Sequence, residues 1–313
     1  MKVAVYSFHK FEKSFLEKAN AGHHEIHFFD TRLSLETALL CAGFDAVSLF
    51  VNDNASAPVL EKLNLQGIRF IALRSAGFNN VDIEKASQLG IGVERVPAYS
   101  PCAVAEHAVA LMLALNRRLI RAHQRVMDLN FSLDGLTGFD MNGKTAGIIG
   151  TGKIGAVVAR VLHGFGCRVI AWDKYENEKI KQKHQVEYTD YFSLCRQSDI
   201  ISLHIPLTEE TKYIVSKSFS DEMKDGVMLI NTSRGALVNT NDVVNALKNG
   251  RIGYFGMDVY EEEEGLFFED HSEDILLDDT IARLMTFQNV IIISHHGFFT
   301  KTALRNIMET TFQ

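Results

Sequence analysis

Through the first hundred residues, short apolar runs of strand length alternate with apolar stripes at helical spacing. Candidate strands fall at 3–6, 26–29, 46–50, 69–73 and 92–96. Between them, helical patterns cover 11–19, 34–42, 58–65 and 81–89. This alternation predicts a parallel sheet with helices on both faces. Two of the four prolines lie in Val96-Pro-Ala-Tyr-Ser-Pro101, where the ring disfavours continuing a helix, so a domain boundary is expected there. A strongly apolar helix follows from 103 to about 121. Its apolar surface exceeds one buried face, which leaves core packing and a subunit interface both open.

The pattern then tightens at 145–173, TAGIIGTGKIGAVVARVLHGFGCRVIAWD. A strand at 145–149 runs into glycines at Gly150, Gly152 and Gly155. A helical stripe follows at Ile154, Val157, Val158, Val161 and Leu162, and a second strand at 169–172 ends on Asp173. Gly150 permits a tight turn, Gly152 lets backbone amides approach a pyrophosphate, and Gly155 lets helix and strand pack closely. The helix N-terminus offers unpaired N–H groups and partial positive charge to the phosphates. Asp173 is placed to accept from the ribose hydroxyls. Strand, turn, helix, strand and acid together predict a dinucleotide site, which a lone GxGxxG would not.

Further strands are expected at 186–188, 200–203, 227–230, 254–257 and 290–293, seven in this half with the two of the glycine unit. Several end in polar residues: His204 and Pro206; Thr232, Ser233 and Arg234; Asp258 and the acids 261–264; His295 and His296. Parallel strands share one carboxyl edge, so these groups should gather beside the glycine turn. Singly, each has a plain explanation: a surface ion pair for Arg234, a solvated acidic run, a loop histidine. In the first half, the loop Leu73-Arg-Ser-Ala-Gly-Phe-Asn-Asn-Val-Asp82 follows a strand. It fits an ordinary turn and a carboxylate-holding loop equally well.

Composition narrows the class. With 313 residues, 46% of them apolar and 23% charged, the chain suits two soluble globular domains. A net charge of −7 speaks against nucleic-acid binding, and no run is long enough to span a membrane. The apolar start at 1–8 is too short for a leader. Four scattered cysteines without a CxxC pair point to reduced cytoplasmic thiols, with no disulfide frame and no metal site.

The motifs LRSAGFNNVD (73–82), VPAYSP (96–101), AEHA (105–108), GIIGTGKIG (147–155), SLHIPLT (202–208), NTSRGALV (231–238), GMDVYEEE (256–263) and ISHHGFFT (293–300) run the length of the chain. In them the sequence resembles the D-isomer-specific 2-hydroxyacid dehydrogenases, and within that family the lactate branch. The resemblance implies an α/β protein of two doubly wound parallel-sheet domains with a crevice between them. A Rossmann-type cofactor domain would span 101–298, and a flavodoxin-like substrate domain 1–100 and 299–313. It implies Arg234 as the substrate-carboxylate arginine, His295 as the acid/base and Glu263 as its partner, with no role for His296. Ser75, Ala76 and Gly77 would offer backbone donors to the carboxylate, with Tyr99 and Phe50 walling the substrate pocket. Gly152, Lys153, Ile154, Asp173, Pro206, Thr232 and Asp258 would contact NAD, and His204 and Ser233 at the same strand ends are counted with them. Members of this family continue past the point matching Gln313 with a helix and tail.

The residue types suit the chemistry so implied. Arginine offers a planar, bidentate fork to a carboxylate. Histidine titrates near neutrality, so it can give a proton in reduction and take one in oxidation, and a nearby carboxylate favours the imidazolium. The expected activity is NADH-dependent reduction of pyruvate to D-lactate, by a cytoplasmic homo-oligomer (dimer or tetramer) joined through the cofactor domain, in fermentation. Its partners would be small 2-oxo and 2-hydroxy acids. The rival readings are a glyoxylate/hydroxypyruvate branch and an NADH-sensing corepressor-like protein.

Overall fold

The computed structural model describes residues 1–312, and the chain divides into two compact units. One comprises Met1–Ser100 with the segment from Phe298 to the end of the described residues; the other is Pro101–Gly297. The return to the first unit thus comes one residue before the expected 299, and the expected span ends on Gln313, outside the described residues.

In the first unit, β1 (Lys2–Val5), α1 (Lys13–Asn20), β2 (Glu25–Phe28), β3 (Ala46–Leu49), α2 (Ala57–Leu65), β4 (Phe70–Leu73), α3 (Ile83–Gln88) and β5 (Gly92–Arg95) follow in order. All strand pairs are parallel, in the order β2-β1-β3-β4-β5. Strand β3 is buried along its whole length, as a central strand covered on both faces must be. The helix expected at 34–42 is only a 3-10 turn, Thr37–Cys41. Here Thr37 Oγ1 donates to Arg32 O (2.6 Å) and accepts from Ser34 N (2.8 Å). These local side-chain bonds compete with the α-helical ladder.

The second unit opens with α4 (Pro101–Asn116) and α5 (Leu119–Met127), where one helix to about 121 was expected. The break lies at Arg118, whose φ of +48° is left-handed. Just before it, the buried Asn116 side chain turns away to clasp Phe139, donating to its O and accepting from its N, both at 2.8 Å. The apolar residues Ala105, Ala108, Leu111, Met112 and Leu115 of α4 pack into the unit's own core, so core packing accounts for that helix. Apolar surface is exposed instead on α5 and just beyond it.

Then come β6 (Thr145–Ile149), α6 (Lys153–Gly164), β7 (Arg168–Trp172), α7 (Glu178–His184), β8 (Glu187–Tyr188), α8 (Tyr191–Gln197), β9 (Ile200–Leu203), α9 (Lys217–Glu222), β10 (Val227–Asn231), α10 (Thr240–Lys248), β11 (Ile252–Met257), α11 (Asp279–Met285) and β12 (Val290–Ile292). The seven strands are all parallel, in the order β12-β11-β10-β9-β6-β7-β8. Strand order reverses between β6 and β9, the point where open α/β sheets take ligands. A last helix, α12 (Lys301–Thr311), is capped by Thr300 and packs on α1 of the first unit through Ile307 and Met308.

At the carboxyl edge of the first sheet lies a buried guanidinium. Arg74, only 2% exposed, donates to Glu12 Oε1 (2.9 Å), Ser48 O (2.9 Å) and Tyr6 O (2.8 Å). It ties the ends of β1, β3 and β4 together, and Glu12, fully buried, neutralises it. Removing one partner of such a pair strands the other charge. Glu12→Gln should therefore cost about 3–5 kcal/mol in urea unfolding. A loss below about 1 kcal/mol would show the pair to be no more important than a surface bridge.

Candidate active site

The loop after β6 is built as its glycines require. Gly150 has φ +96°, and a Cβ there would meet His204 O at 2.5 Å. A Cβ on Gly155 would lie 1.9 Å from Gly150 O, so α6 can approach the turn this closely only with glycine. Gly152, the N-cap of α6, faces open space. That leaves the helix N-terminus, beginning with Lys153 and Ile154, open to an anion.

Asp173, at the end of β7, is already oriented by this loop. Its Oδ2 accepts from Thr151 N (2.5 Å) and Thr151 Oγ1 (3.0 Å), and Oδ1 accepts from Tyr175 N (3.0 Å). Tyr188 OH donates to Thr151 Oγ1 at 2.8 Å, bracing the same turn from β8. A carboxylate held here suits ribose hydroxyls and repels a 2′-phosphate. Neither Thr151 nor Tyr188 was legible beforehand, because their part depends on a turn that closes 22 to 37 residues along the chain.

Two buried polar atoms near the switch point have no hydrogen-bond partner among the described residues: Thr232 Oγ1, just past β10, and His204 Nδ1, just past β9. An unpartnered buried hydroxyl is costly unless a ligand or water meets it. Together with the open helix N-terminus, Thr232 fits a dinucleotide. The His204 ring turns inward, with Nε2 at 2.9 Å from Ser202 Oγ. Ser233 is spent on the fold, its Oγ donating to Leu203 O at 2.9 Å. Pro206 O accepts from Thr211 Oγ1 (2.7 Å), which pins the loop beyond β9.

Arg234 follows directly. Asn231, buried at the end of β10, donates from Nδ2 to Arg234 O (2.9 Å) and accepts from Ser233 N (3.1 Å). The guanidinium is half-buried, with NH1 donating to Ser233 O at 2.6 Å. Past β12, His295 adopts φ +48°, a left-handed conformation that a side chain rarely takes. Its Nδ1 lies 3.0 Å from Glu263 Oε1, and Glu263 Oε2 accepts from Tyr260 N at 3.1 Å. A carboxylate can only accept, so Nδ1 carries the proton and Nε2 is left for chemistry. Glu261 is engaged elsewhere, accepting from Thr240 N at 3.0 Å, which makes Glu263 the histidine's acid.

Asp258, expected beside the cofactor, is 1% exposed and holds the histidine loop. Its O accepts from His295 N (2.7 Å), Oδ1 from His296 N (2.7 Å) and Oδ2 from Gly297 N (2.8 Å).

In the first unit, the loop after β4 carries Ser75, Ala76 and Gly77. Ser75 Oγ donates to Gly77 O (2.7 Å) and Arg95 NH1 to Ala76 O (2.6 Å). The N–H groups of these three residues meet no acceptor among the described residues. Phe50 is buried, its ring 4.9 Å from that of His9 and 6.3 Å from that of Phe298; Tyr99 stands 6.4 Å from Phe298. Asp53 holds this wall, accepting from Phe50 N (2.6 Å), Leu33 N (2.7 Å) and Ser7 Oγ (2.7 Å). His9 and Phe298 extend the aromatic wall beyond Phe50 and Tyr99.

Comparison with known proteins gives these arrangements a context. Residues 109–297 match the family described as D-isomer specific 2-hydroxyacid dehydrogenase, NAD binding domain. The D-lactate dehydrogenase of Escherichia coli (strain K12) is 51% identical over 314 residues, covering 100% of this chain and 95% of the relative. The solved pyruvate reductase of Chlamydomonas reinhardtii superposes with a TM-score of 0.93 at 41% identity, over 100% of this chain and 94% of that one. The D-lactate dehydrogenase of Aquifex aeolicus, solved with NAD and lactic acid, gives 0.89 at 34% identity, over 99% and 93%.

Burial at His204 carries a measurable consequence. It pushes the imidazole from 6.5 down to about 3, so the folded protein keeps the ring neutral. The unfolded chain takes up a proton near 6.5 that the folded chain refuses. Stability from this site is thus complete above about 6.5 and is lost as pH falls toward about 3. Denaturant unfolding between pH 7 and 5 should show less of this decline in His204→Gln than in the parent. Equal slopes would contradict the assignment.

Proposed function

This chain belongs to the D-isomer-specific 2-hydroxyacid dehydrogenases, an NAD-dependent family of enzymes, and from that premise we propose that it reduces pyruvate to D-lactate with NADH. The observation that carries the reading is the 3.0 Å pair of His295 Nδ1 and Glu263, which leaves Nε2 as a proton donor. Arg234 would grip the substrate carboxylate through its fork, assisted by the unspent N–H groups of Ser75, Ala76 and Gly77. Bound NADH supplies the hydride that the keto carbon accepts. His295 passes its Nε2 proton to the carbonyl oxygen, and the adjacent Glu263 carboxylate stabilises the imidazolium before transfer. In the reverse direction the neutral ring takes the proton back. The test is to mix protein, NADH and a series of 2-oxo acids and follow NADH absorbance. Fast turnover of pyruvate supports the reading; tight NADH binding with no turnover of any 2-oxo acid would make the protein a sensor.

We further propose a homo-oligomer joined through the second unit. Leu129, Phe131 and Leu133 are 70–80% exposed just past α5, and an apolar groove of about 640 Å³ lined by Ile120, Leu266, Met285 and Ile293 lies in the same unit. Apolar exposure on this scale marks an interaction surface. Phe131→Asp with Leu133→Asp should shift sedimentation toward monomer; an unchanged profile would place the interface elsewhere. We also propose a cytoplasmic location, which the four free cysteines suit, and a role in reoxidising NADH during fermentation.

Glu263→Gln should lower turnover of pyruvate, because the ring loses the carboxylate that orients its Nδ1–H. Unchanged turnover would mean that another acid supports the histidine. His295→Gln should lose orders of magnitude in turnover and His296→Gln far less.

Substrate size follows from the aromatic wall. We propose that Phe50 and Tyr99 wall the pocket for the third substituent of the substrate, where aromatic side chains would favour a group no larger than a methyl. A methylene is worth only about 1–3 kcal/mol to such a pocket. Pyruvate should be best, 2-oxobutyrate and glyoxylate weaker, and branched 2-oxo acids poor. Phe50→Ala should raise activity on longer aliphatic acids relative to pyruvate; a parent that already prefers 2-oxoisocaproate would refute the wall.

A further inference from the structure

The motif Ala105-Glu-His-Ala108 sits on α4 and has no part in the chemistry so far described. Its histidine nevertheless reaches the catalytic loop. His107 Nε2 lies 3.0 Å from Asp258 Oδ1, the same oxygen that accepts from His296 N. Because the buried Asp258 carboxylate can only accept, Nε2 is the donor. Asp258 thereby receives N–H donors from three sides: His107, His296 and Gly297, while its carbonyl takes His295 N.

We propose that His107 is a positioning residue for the acid/base histidine, acting through Asp258 to hold residues 295–297 in the geometry that aims His295. The inference rests on the reading of His295 as proton donor. Three features carry it. His295 occupies a left-handed backbone conformation, which persists only where its surroundings enforce it. Chief among the enforcing groups is Asp258, which takes His295 N on its carbonyl and the next two N–H groups on its carboxylate; Ile293 O is a second acceptor for His295 N at 3.1 Å. The side chain that donates to Asp258 is that of His107, itself largely buried on a helix of the same unit. There is also little slack: a Cβ at Gly297 would come within 2.8 Å of Asp258 Oδ2 and 3.4 Å of His107 Cδ2. The His107 and His296 rings meet edge to face at 5.5 Å, so His107 also backs the loop directly.

Without the His107 donor, the buried carboxylate is left under-satisfied and must re-aim toward its remaining donors or admit water. Either response turns the plane that fixes two consecutive N–H groups, and His295 moves with them. Small misplacements of a catalytic group are expensive in rate. The substrate-carboxylate anchor at Arg234 lies on a different strand end and should feel little of this, so the loss belongs in kcat.

The full-length enzyme should be compared as parent, His107→Ala, His107→Gln and His295→Gln. For each, kcat and KM for pyruvate are measured, with the NADH-binding fraction from fluorescence titration. Glutamine places an N–H donor where Nε2 stood. His107→Ala should lower kcat about 10- to 100-fold per NADH-binding site, with KM within about threefold of the parent. His107→Gln should recover kcat to within about threefold of the parent. An Ala variant with parental kcat per site, beside an inactive His295→Gln, would overturn the inference alone. So would a Gln variant no better than Ala, or a loss wholly matched by a smaller NADH-binding fraction. A fully active His295→Gln would overturn the proton-donor reading and this inference with it.

Discussion

Three successive backbone N–H groups, those of His295, His296 and Gly297, end on a single buried aspartate. This is the constraint on which the candidate site depends. Where β12 stops, the chain leaves the sheet ladder, and its backbone donors still need partners away from water. Asp258, at the end of the neighbouring strand β11, supplies all three from one residue. It does so at the cost of burying a carboxylate, which those N–H groups and His107 offset. The left-handed turn that results is what presents His295 to Glu263.

The first unit solves the same problem with different residues. Its sheet also runs its strands to one edge, where Asp53 collects Phe50 N, Leu33 N and Ser7 Oγ, and Arg74 collects the carbonyl of Ser48 in β3 and those of Tyr6 and Ser7 just after β1. Burial pushes the Asp53 carboxyl up, against the lowering effect of its donors and of Arg74. The loops proposed to bear function are thus tied down by buried polar groups just behind them. Rigid placement at a strand edge favours preorganised chemistry.

Much of this architecture was legible from the pattern of apolar positions. Each predicted strand exists, because central parallel strands must be apolar on both faces. The glycine turn was legible because Gly150 and Gly155 meet steric demands that admit no side chain. The turn at 37–41 was not, since apolar spacing is blind to the Ser34 and Thr37 hydroxyls that cap it. Nor was the break at Arg118, a residue with no turn preference forced into a left-handed conformation. His107 and Asp258 stand 151 residues apart, and Arg74 and Glu12 stand 62 apart. No local periodicity reports such a pairing, so the groups that aim the site emerged only with the fold. The residues doing the aiming are less visible in sequence than those being aimed.

The account turns on where a 2-oxo acid is held, and a crystal structure of the protein with NADH and oxamate, an unreactive mimic of pyruvate, examines that directly. The account predicts the oxamate carboxylate on the Arg234 fork and its amide carbonyl oxygen within hydrogen-bond distance of His295 Nε2. A carbonyl oxygen turned toward His296, or a carboxylate bound away from Arg234, would contradict it.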